Sequence, residues 1–153
     1  MNKWDSIFIC DTDTVCGIGG PVNSQTLTLL YEAKHRPLEK KIMILVGSLA
    51  QAQIFPQWNQ NATEWAQKHW PGAYSIIVNN QGFRMPNCEK LCQFLIKNGP
   101  MYVSSANISG SAPIHLNEAQ KTFPFINNVY SFDCTHSDKP SQIFNLDTNE
   151  WIR

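Results

Sequence analysis

Tyr74-Ser75-Ile76-Ile77-Val78-Asn79-Asn80-Gln81-Gly82-Phe83-Arg84-Met85 is the stretch that decides the fold class. An apolar run of strand length meets a turn of Asn, Gln and Gly, and a second apolar segment follows. The reading is a hairpin, with strands over 74–78 and 83–85 and a turn over 79–82. Its two strands are therefore antiparallel. On either side of the hairpin, strands alternate with helices. Upstream, residues 42–46 form an unbroken apolar run, the pattern of a strand covered on both faces. Residues 7–10 read as another short buried strand, followed by a polar turn over 11–20. Asn23 or Ser24 can cap a helix whose apolar face is Leu27, Leu30 and Tyr31 and which stops near Pro37. A short helix follows Ser48, and Asn61 or Thr63 starts another that runs to about His69. Trp70-Pro71-Gly72 is a turn.

Downstream, Asn87 is positioned to cap a helix that Gly99-Pro100 ends. Residues 101–104 form a strand that runs into the polar loop 105–111. Asn117 starts a short helix, 129–132 and 142–146 are the last main strands, and 151–153 is a tail. Alternating strands and helices with one hairpin predict an α/β fold, a twisted mixed parallel and antiparallel sheet with helices packed around it. With 153 residues and no repeat or low-complexity linker, the expectation is one domain over 1–153. In such sheets ligands sit at strand-end loops.

Composition narrows the function. The chain is 42% hydrophobic and 16% charged, with a formal net charge of zero, which argues against a protein built mainly to grip a nucleic-acid backbone. No apolar stretch approaches the roughly 20 residues that span a membrane, and the first residues show no cleavage signal, so a cytoplasmic protein is expected. The cysteines are Cys10, Cys16, Cys88, Cys92 and Cys134, an odd count expected to be free thiols in a reducing compartment. Cys88, Leu91, Cys92 and Leu95 share helical spacing, so Cys88 and Cys92 are expected to be small hydrophobes on a buried helix face. There is no C-x-x-C, and no histidine pair has metal spacing, so no protein-held metal is expected. The chain has no phosphate loop, dinucleotide fingerprint, nucleophile elbow or H-E-x-x-H. Gly17-Ile18-Gly19-Gly20 is read as a flexible turn.

Of twelve basic residues only Arg36, Arg84 and Arg153 are arginine. A guanidinium offers a flat, permanently charged fork for two oxygens of a phosphate or carboxylate. From spacing alone, an ordinary surface charge is an equal reading. Lys34, Arg36, Lys40 and Lys41 form a basic run that suits a helix C-terminus. Its continuation past Pro37 toward the next strand suits an anionic ligand. Ser104-Ser105-Ala106-Asn107-Ile108-Ser109-Gly110 offers many small donors to anionic oxygens, or else caps its own backbone.

Taken together, these segments resemble the YrdC-like threonylcarbamoyl-AMP synthases. Asp11-Thr12-Asp13-Thr14-Val15-Cys16-Gly17-Ile18-Gly19 is similar to the family's P-T-D-T-V-Y-G-L-G, and Lys34-His35-Arg36-Pro37-Leu38-Glu39-Lys40 to K-x-R-P-x-x-K. Trp70 to Ser75 resembles W-P-G-P-L-T, Phe83 to Pro86 resembles V-R-x-P, and Ser104 to Gly110 resembles S-S-A-N-x-S-G. Pro140-Ser141-Gln142-Ile143 resembles P-S-T-I, and Ile152-Arg153 the closing residues. Asp11 stands where the motif has proline, Cys16 where it has an aromatic, Ser75 where it has threonine, and Lys41 where it has proline.

The resemblance implies an enzyme that joins L-threonine, bicarbonate and ATP into threonylcarbamoyl-AMP, releasing pyrophosphate. A partner transferase then moves the group onto tRNA, and a weak tRNA contact is among the partners implied. Thr12 and Ser105 are implied to hold threonine. Lys34, Arg36 and Lys40 are implied to hold phosphates and bicarbonate as the catalytic cations. Ser75, Asn107, Ser141 and Arg153 are implied to bind ATP, with Mg²⁺ carried by it. Arg84 is either catalytic support or structural. The alternatives are a carbamoyl-adenylate-forming carbamoyltransferase domain and a non-catalytic double-stranded RNA or tRNA module. A basic cluster confined to a pocket favours an enzyme.

Overall fold

The computed structural model describes residues 2–37 and 41–153. Lys40 lies outside them. Among the described residues, nine strands form one sheet in the order β7-β1-β2-β6-β3-β5-β4-β8-β9. Numbered along the chain they are Phe8–Cys10, Gly17–Pro21, Met43–Leu45, Tyr74–Val78, Gln81–Arg84, Met101–Ser105, Asn128–Tyr130, Gln142–Asn145 and Glu150–Trp151. β1 with β7, β3 with β5, and β4 with β8 are parallel, and the other neighbours are antiparallel, so the expected mixed sheet is present. The helices are α1 (Ser24–Lys34), α2 (Leu49–Gln53), α3 (Gln60–His69), α4 (Glu89–Asn98) and α5 (Ala119–Thr122), the last preceded by a 3₁₀ turn at Leu116–Glu118. No described helix is long and apolar enough to cross a membrane.

The register assigns the two faces. Ile9 pairs with Ile18, Ile44 with Tyr102 and Phe83, and Ile76 with Phe83 and Phe144. That face is covered by Leu29, Leu30 and Ala33 of α1 and by Ala52 and Ala62 of α2 and α3. The opposite face carries Phe8, Cys10, Leu45 and Val103, and Leu91 and Leu95 of α4 cover part of it. The remainder of this second face is left open and forms the cleft described below.

Several boundaries differ from the sequence reading. Gly17 to Gly20 belong to β2 and are not a flexible turn. A Cβ on Gly17 would stand 2.5 Å from Val103 Cγ1, and one on Gly19 would collide with Tyr102 O, so these glycines let β2 lie close against β6. The hairpin turn is only Asn79-Asn80, both at positive φ (47° and 66°), a conformation Asn tolerates, so β5 starts at Gln81. Asn59 caps α3, its side chain accepting from the Ala62 amide, two residues ahead of the expected start. Asn23 caps α1 by accepting from the Thr26 amide at 2.8 Å, as read.

The cysteine expectation is corrected. Cys88 and Cys134 form a disulfide, with Cα atoms 5.4 Å apart, and Cys10, Cys16 and Cys92 are free. Cys88, not Asn87, precedes α4 as its N-cap residue, and it is buried in the same cluster as Leu91 and Leu95, as a disulfide-bonded residue and not a free thiol. Leu91 and Leu95 fill the helix's buried stripe, while Cys92 is half-buried, its thiol 3.1 Å from Pro86 O.

Candidate active site

A cavity of about 320 Å³ crosses the open part of the second sheet face. Its floor is Gly17, Val103, Met43 and Leu45, continuing to Ser75 and Ile143. The register puts these on one face, since Gly17 pairs with Ser105, Met43 with Val103, Leu45 with Arg84 and Ser75 with Ile143. Cations stand around this apolar floor: Arg36, Lys41, Arg84 and Arg153 all line the cavity.

Arg36 reaches the cleft because α1 ends in a tight left-handed turn. His35 sits at φ 53°, its amide donates to Glu32 O, and the Arg36 amide donates to Tyr31 O at 3.0 Å. This is the paired bond pattern of a Schellman ending, which turns the chain sharply out of the helix. The Arg36 guanidinium donates to Lys41 O at 2.7 Å, and partial burial lowers its pKa from the usual value.

Lys34 is placed differently. It is 1% exposed and does not line the cavity. Its ammonium donates to Ser104 Oγ at 2.6 Å and to Ser105 O, and lies 3.2 Å from Ser105 Oγ. The charge therefore stands behind the Ser104–Ser105 wall. Asn107 is also behind that wall. Its Oδ1 accepts from Ser105 Oγ, and its Nδ2 donates to Ile108 O and Ser111 O, both at 2.9 Å. Ser105 itself lines the cavity and links it to both buried groups.

On the other side, the Ser75 and Ser141 hydroxyls bond each other at 2.7 Å and both line the cavity. Arg153 joins them, its Nε donating to Ser141 O at 2.8 Å. Thr12 lines the cavity too, but its hydroxyl donates to Val15 O at 2.6 Å and accepts from the Thr14 amide. It shapes the 11–16 loop as much as it faces the space. Thr12, Cys16 and Asp138 also line a neighbouring cavity of about 350 Å³, so the two spaces adjoin.

Arg84 resolves into a clamp. Its guanidinium donates to Asp13 Oδ1 at 2.7 Å, Thr14 Oγ1 at 3.1 Å and Gly72 O at 3.1 Å. Asp13 Oδ2 in turn accepts from the Asn87 amide at 2.8 Å. Asp11, the residue in the proline position of the motif, also has a structural task. Its two carboxylate oxygens accept from the Phe132 and Cys134 amides at 2.7 and 3.0 Å. Sequence reasoning missed Asp11 and Asp13 as ties, because their partners lie 121 and 71 positions away or more. It also missed Asp138 as a lining residue, and gave Lys41 no site role of its own. Cys16 is the one thiol on the cavity wall; burial first, then the nearby Asp11, Asp138 and Glu118, push its pKa to about 11. A protonated thiol is a poor nucleophile, so the site's resources are cations, hydroxyls and shape.

A family model described as "Telomere recombination", for Sua5, YciO and YrdC proteins, matches residues 3–152. The chain belongs to the Sua5/YciO/YrdC family. An Acinetobacter baumannii relative in this family, a threonylcarbamoyl-AMP synthase, is 30% identical over an alignment covering 93% of this chain and 88% of that one. An uncharacterized Mycoplasma pneumoniae protein is 35% identical over 71% of this chain, and the match spans only 24% of its length. Among solved structures, P. abyssi Sua5 in complex with L-threonine superposes with a TM-score of 0.80 at 22% identity, covering 96% of this chain and 48% of that one. The likeness at that identity supports the fold, and the chain spans about half the length of the Sua5 structure.

Proposed function

We propose that this chain is a threonylcarbamoyl-AMP synthase. The observation that carries the proposal is the gathering of Arg36, Arg153, Ser75, Ser105 and Ser141 around one cleft, from segments up to 117 positions apart, in a chain that aligns along nearly its full length with the Acinetobacter synthase. In the reaction, the threonine amine and bicarbonate give a carbamate. A carbamate oxygen attacks the α-phosphorus of ATP, the bond to pyrophosphate breaks, and pyrophosphate leaves with its charge. Such chemistry needs no protein nucleophile. It needs positioning and fixed positive charge where the leaving group develops its own.

In this reading Arg36, with Lys40 and Lys41 four and five positions on in sequence, holds the phosphates and bicarbonate. Lys34 acts through the Ser104–Ser105 wall, where its charge also fixes those two hydroxyls. The apolar floor takes the uncharged part of the nucleotide, and Ser75, Ser141 and Arg153 border it. Asn107 serves by fixing Ser105. Threonine sits at the junction of the two cavities, against Thr12 and Ser105. Among the described residues no group of three His, Cys, Asp or Glu could hold a metal ion. The cleft lining offers one carboxylate, Asp138. That donor set suits a Mg²⁺ that travels on ATP phosphates and keeps its waters. The chain acts in the cytoplasm, supplying the adenylate to a transferase that modifies tRNA.

Pyrophosphate release from ATP and Mg²⁺ tests the reading, with threonine and bicarbonate each omitted in turn. Release is expected only with all components present. Equal release with carbamoyl phosphate in place of threonine and bicarbonate would assign the site to carbamoyl-adenylate formation instead. No release with either set would leave a binding module.

A further inference from the structure

The Cys88–Cys134 bond is not used by the chemistry above, and its surroundings suit a task of their own. Both cysteines line a separate open cavity of about 550 Å³, together with Asn87, Glu89, Asp133 and Ser137. The bond thus borders a space outside the cleft, with Cys88 and Cys134 presenting only 8% and 9% of their surface. It closes a loop of 46 positions and joins two pieces of chain that border the cleft. Cys88 follows Asn87, whose amide is held by Asp13, the partner of Arg84. Cys134 belongs to a strap leading to Asp138, Pro140 and Ser141 on the cleft wall. That strap is also held to α4 by the exposed Lys90–Asp133 ion pair at 2.6 Å and by Phe132 packing on Phe94, and to the 11–14 loop by amide bonds: Phe132 and Cys134 to the Asp11 carboxylate, Ser137 to Asp13 O at 3.1 Å, and Asp138 to Thr14 O at 2.9 Å. The strap's hold on the 11–14 loop thus rests on a few amide hydrogen bonds, and its covalent hold on the start of α4 rests on the disulfide alone.

We propose that Cys88–Cys134 is a thiol–disulfide exchange site that takes a dithiol reductant through this second cavity, and that its state sets how firmly the strap holds the cleft wall. Disulfides in reducing compartments are mostly transient or redox-sensing, whereas secreted proteins keep them as permanent staples. The geometry also assigns the direction of attack. Cys88 is the N-cap of the ten-residue helix α4, so a thiolate released there lies at the positive end of the helix. The better leaving sulfur is therefore that of Cys88. One thiolate of the reductant bonds to the Cys134 sulfur as the Cys134–Cys88 bond breaks and its electron pair goes to Cys88. The reductant's second thiolate then attacks its own sulfur in the mixed disulfide and releases Cys134. The dithiol is oxidised to a disulfide, and the two cysteines take up protons as thiols.

The test uses the full chain equilibrated with mixtures of reduced and oxidised dithiothreitol, without denaturant. Free thiols are alkylated and located by mass spectrometry. Cys88 and Cys134 are expected to become alkylated together as the mixture turns reducing, with the far-ultraviolet circular dichroism unchanged. The fully reduced protein is expected to melt about 5–10 °C lower, because the cross-link no longer restricts the unfolded chain. Its affinity for ATP, measured by calorimetric titration, is expected to fall about threefold to tenfold as the strap loosens. Cys134→Ser should reproduce the reduced state, and Cys92→Ser should leave both transitions unchanged. A bond that fails to form under oxidising mixtures, or that opens only in denaturant, would overturn the exchange site. A folded, reduced protein that binds ATP as tightly as the oxidised one would overturn the coupling to the cleft.

Discussion

Arg36 shows how much a single side chain is asked to do. It follows a left-handed residue, is half-buried, and donates to Lys41 O from a position on the cleft wall. Lysine there keeps the charge but loses the planar fork, and a charge-assisted hydrogen bond is worth about 1.5–3 kcal/mol. Arg36→Lys is therefore expected to lower pyrophosphate release at least about tenfold while the thermal midpoint stays near that of the wild type. Full activity in the folded variant would return Arg36 to the role of a helix-end cation. Cys16 permits a second test at this scale. Its pKa near 11 means that little thiolate exists at neutral pH, although the residue lines the cleft. Alkylation by iodoacetamide is expected to be slow at pH 7 and to quicken about tenfold per pH unit up to pH 10. ATP with threonine should slow it further. A rate that is fast at pH 7 and unaffected by ligands would contradict both the raised pKa and the placement.

Elements were legible in the sequence where hydrophobic pattern and capping residues agreed, and illegible where a distant partner decided. Tyr74–Val78 and the α1 start at Asn23 were readable because a continuous apolar run and an Asn cap are local signals. β2 was not, because its glycines look like a turn until Val103 and Tyr102 are known to press against them. The Cys88–Cys134 bond was hidden for the same reason, since pairing depends on where the strap returns. The site was legible mainly through its arginines and serines. That Lys34 and Asn107 stand behind the wall was not, because burial direction at a strand end is set by the packing of α1 under β6. The end of α1 can be tested as an element. His35 holds a left-handed conformation that costs a non-glycine residue about 1 kcal/mol. His35→Gly is expected to stabilise the protein by about that amount in urea unfolding, and no gain would mean that the His35 side chain makes a compensating contact. The last strand is another case. β9 pairs Trp151 with Phe144, and the Ile143 amide donates to Arg153 O at 3.0 Å, so the tail is docked. Deleting residues 151–153 is expected to lower both stability and ATP affinity. Arg153→Ala, which leaves β9 in place, should lower ATP affinity about tenfold and the thermal midpoint little. Equal affinity would make the tail a packing element alone.

At the scale of the whole molecule, the cleft depends on ties between segments that are far apart in sequence. The Arg84–Asp13 pair is central among them. Both side chains are more than nine-tenths buried, at 6% and 7% exposure, and their bonds join the 11–16 loop to the end of β5, to Gly72 and to the start of α4. The pair is not a large net source of stability, because taking two charges out of water costs nearly as much as their attraction returns. Removing one partner is another matter. Arg84→Met would leave the Asp13 carboxylate buried with the Asn87 amide as its remaining hydrogen-bond donor among those described. A buried charge stranded in this way costs about 3–5 kcal/mol, a large share of the roughly 5–15 kcal/mol that holds a domain folded. Arg84→Met is expected to lose about that much stability in urea unfolding. Arg84→Met combined with Asp13→Asn should recover part of the loss, since the neutral amide can still accept from the Asn87 amide without a stranded charge. The two effects separate structure from chemistry. If Arg84 acted mainly on substrate, Arg84→Met would keep wild-type stability while activity fell, and the second substitution would restore nothing. Stability loss with partial recovery in the double variant would establish Arg84 as the clamp that holds the cleft's loops in register.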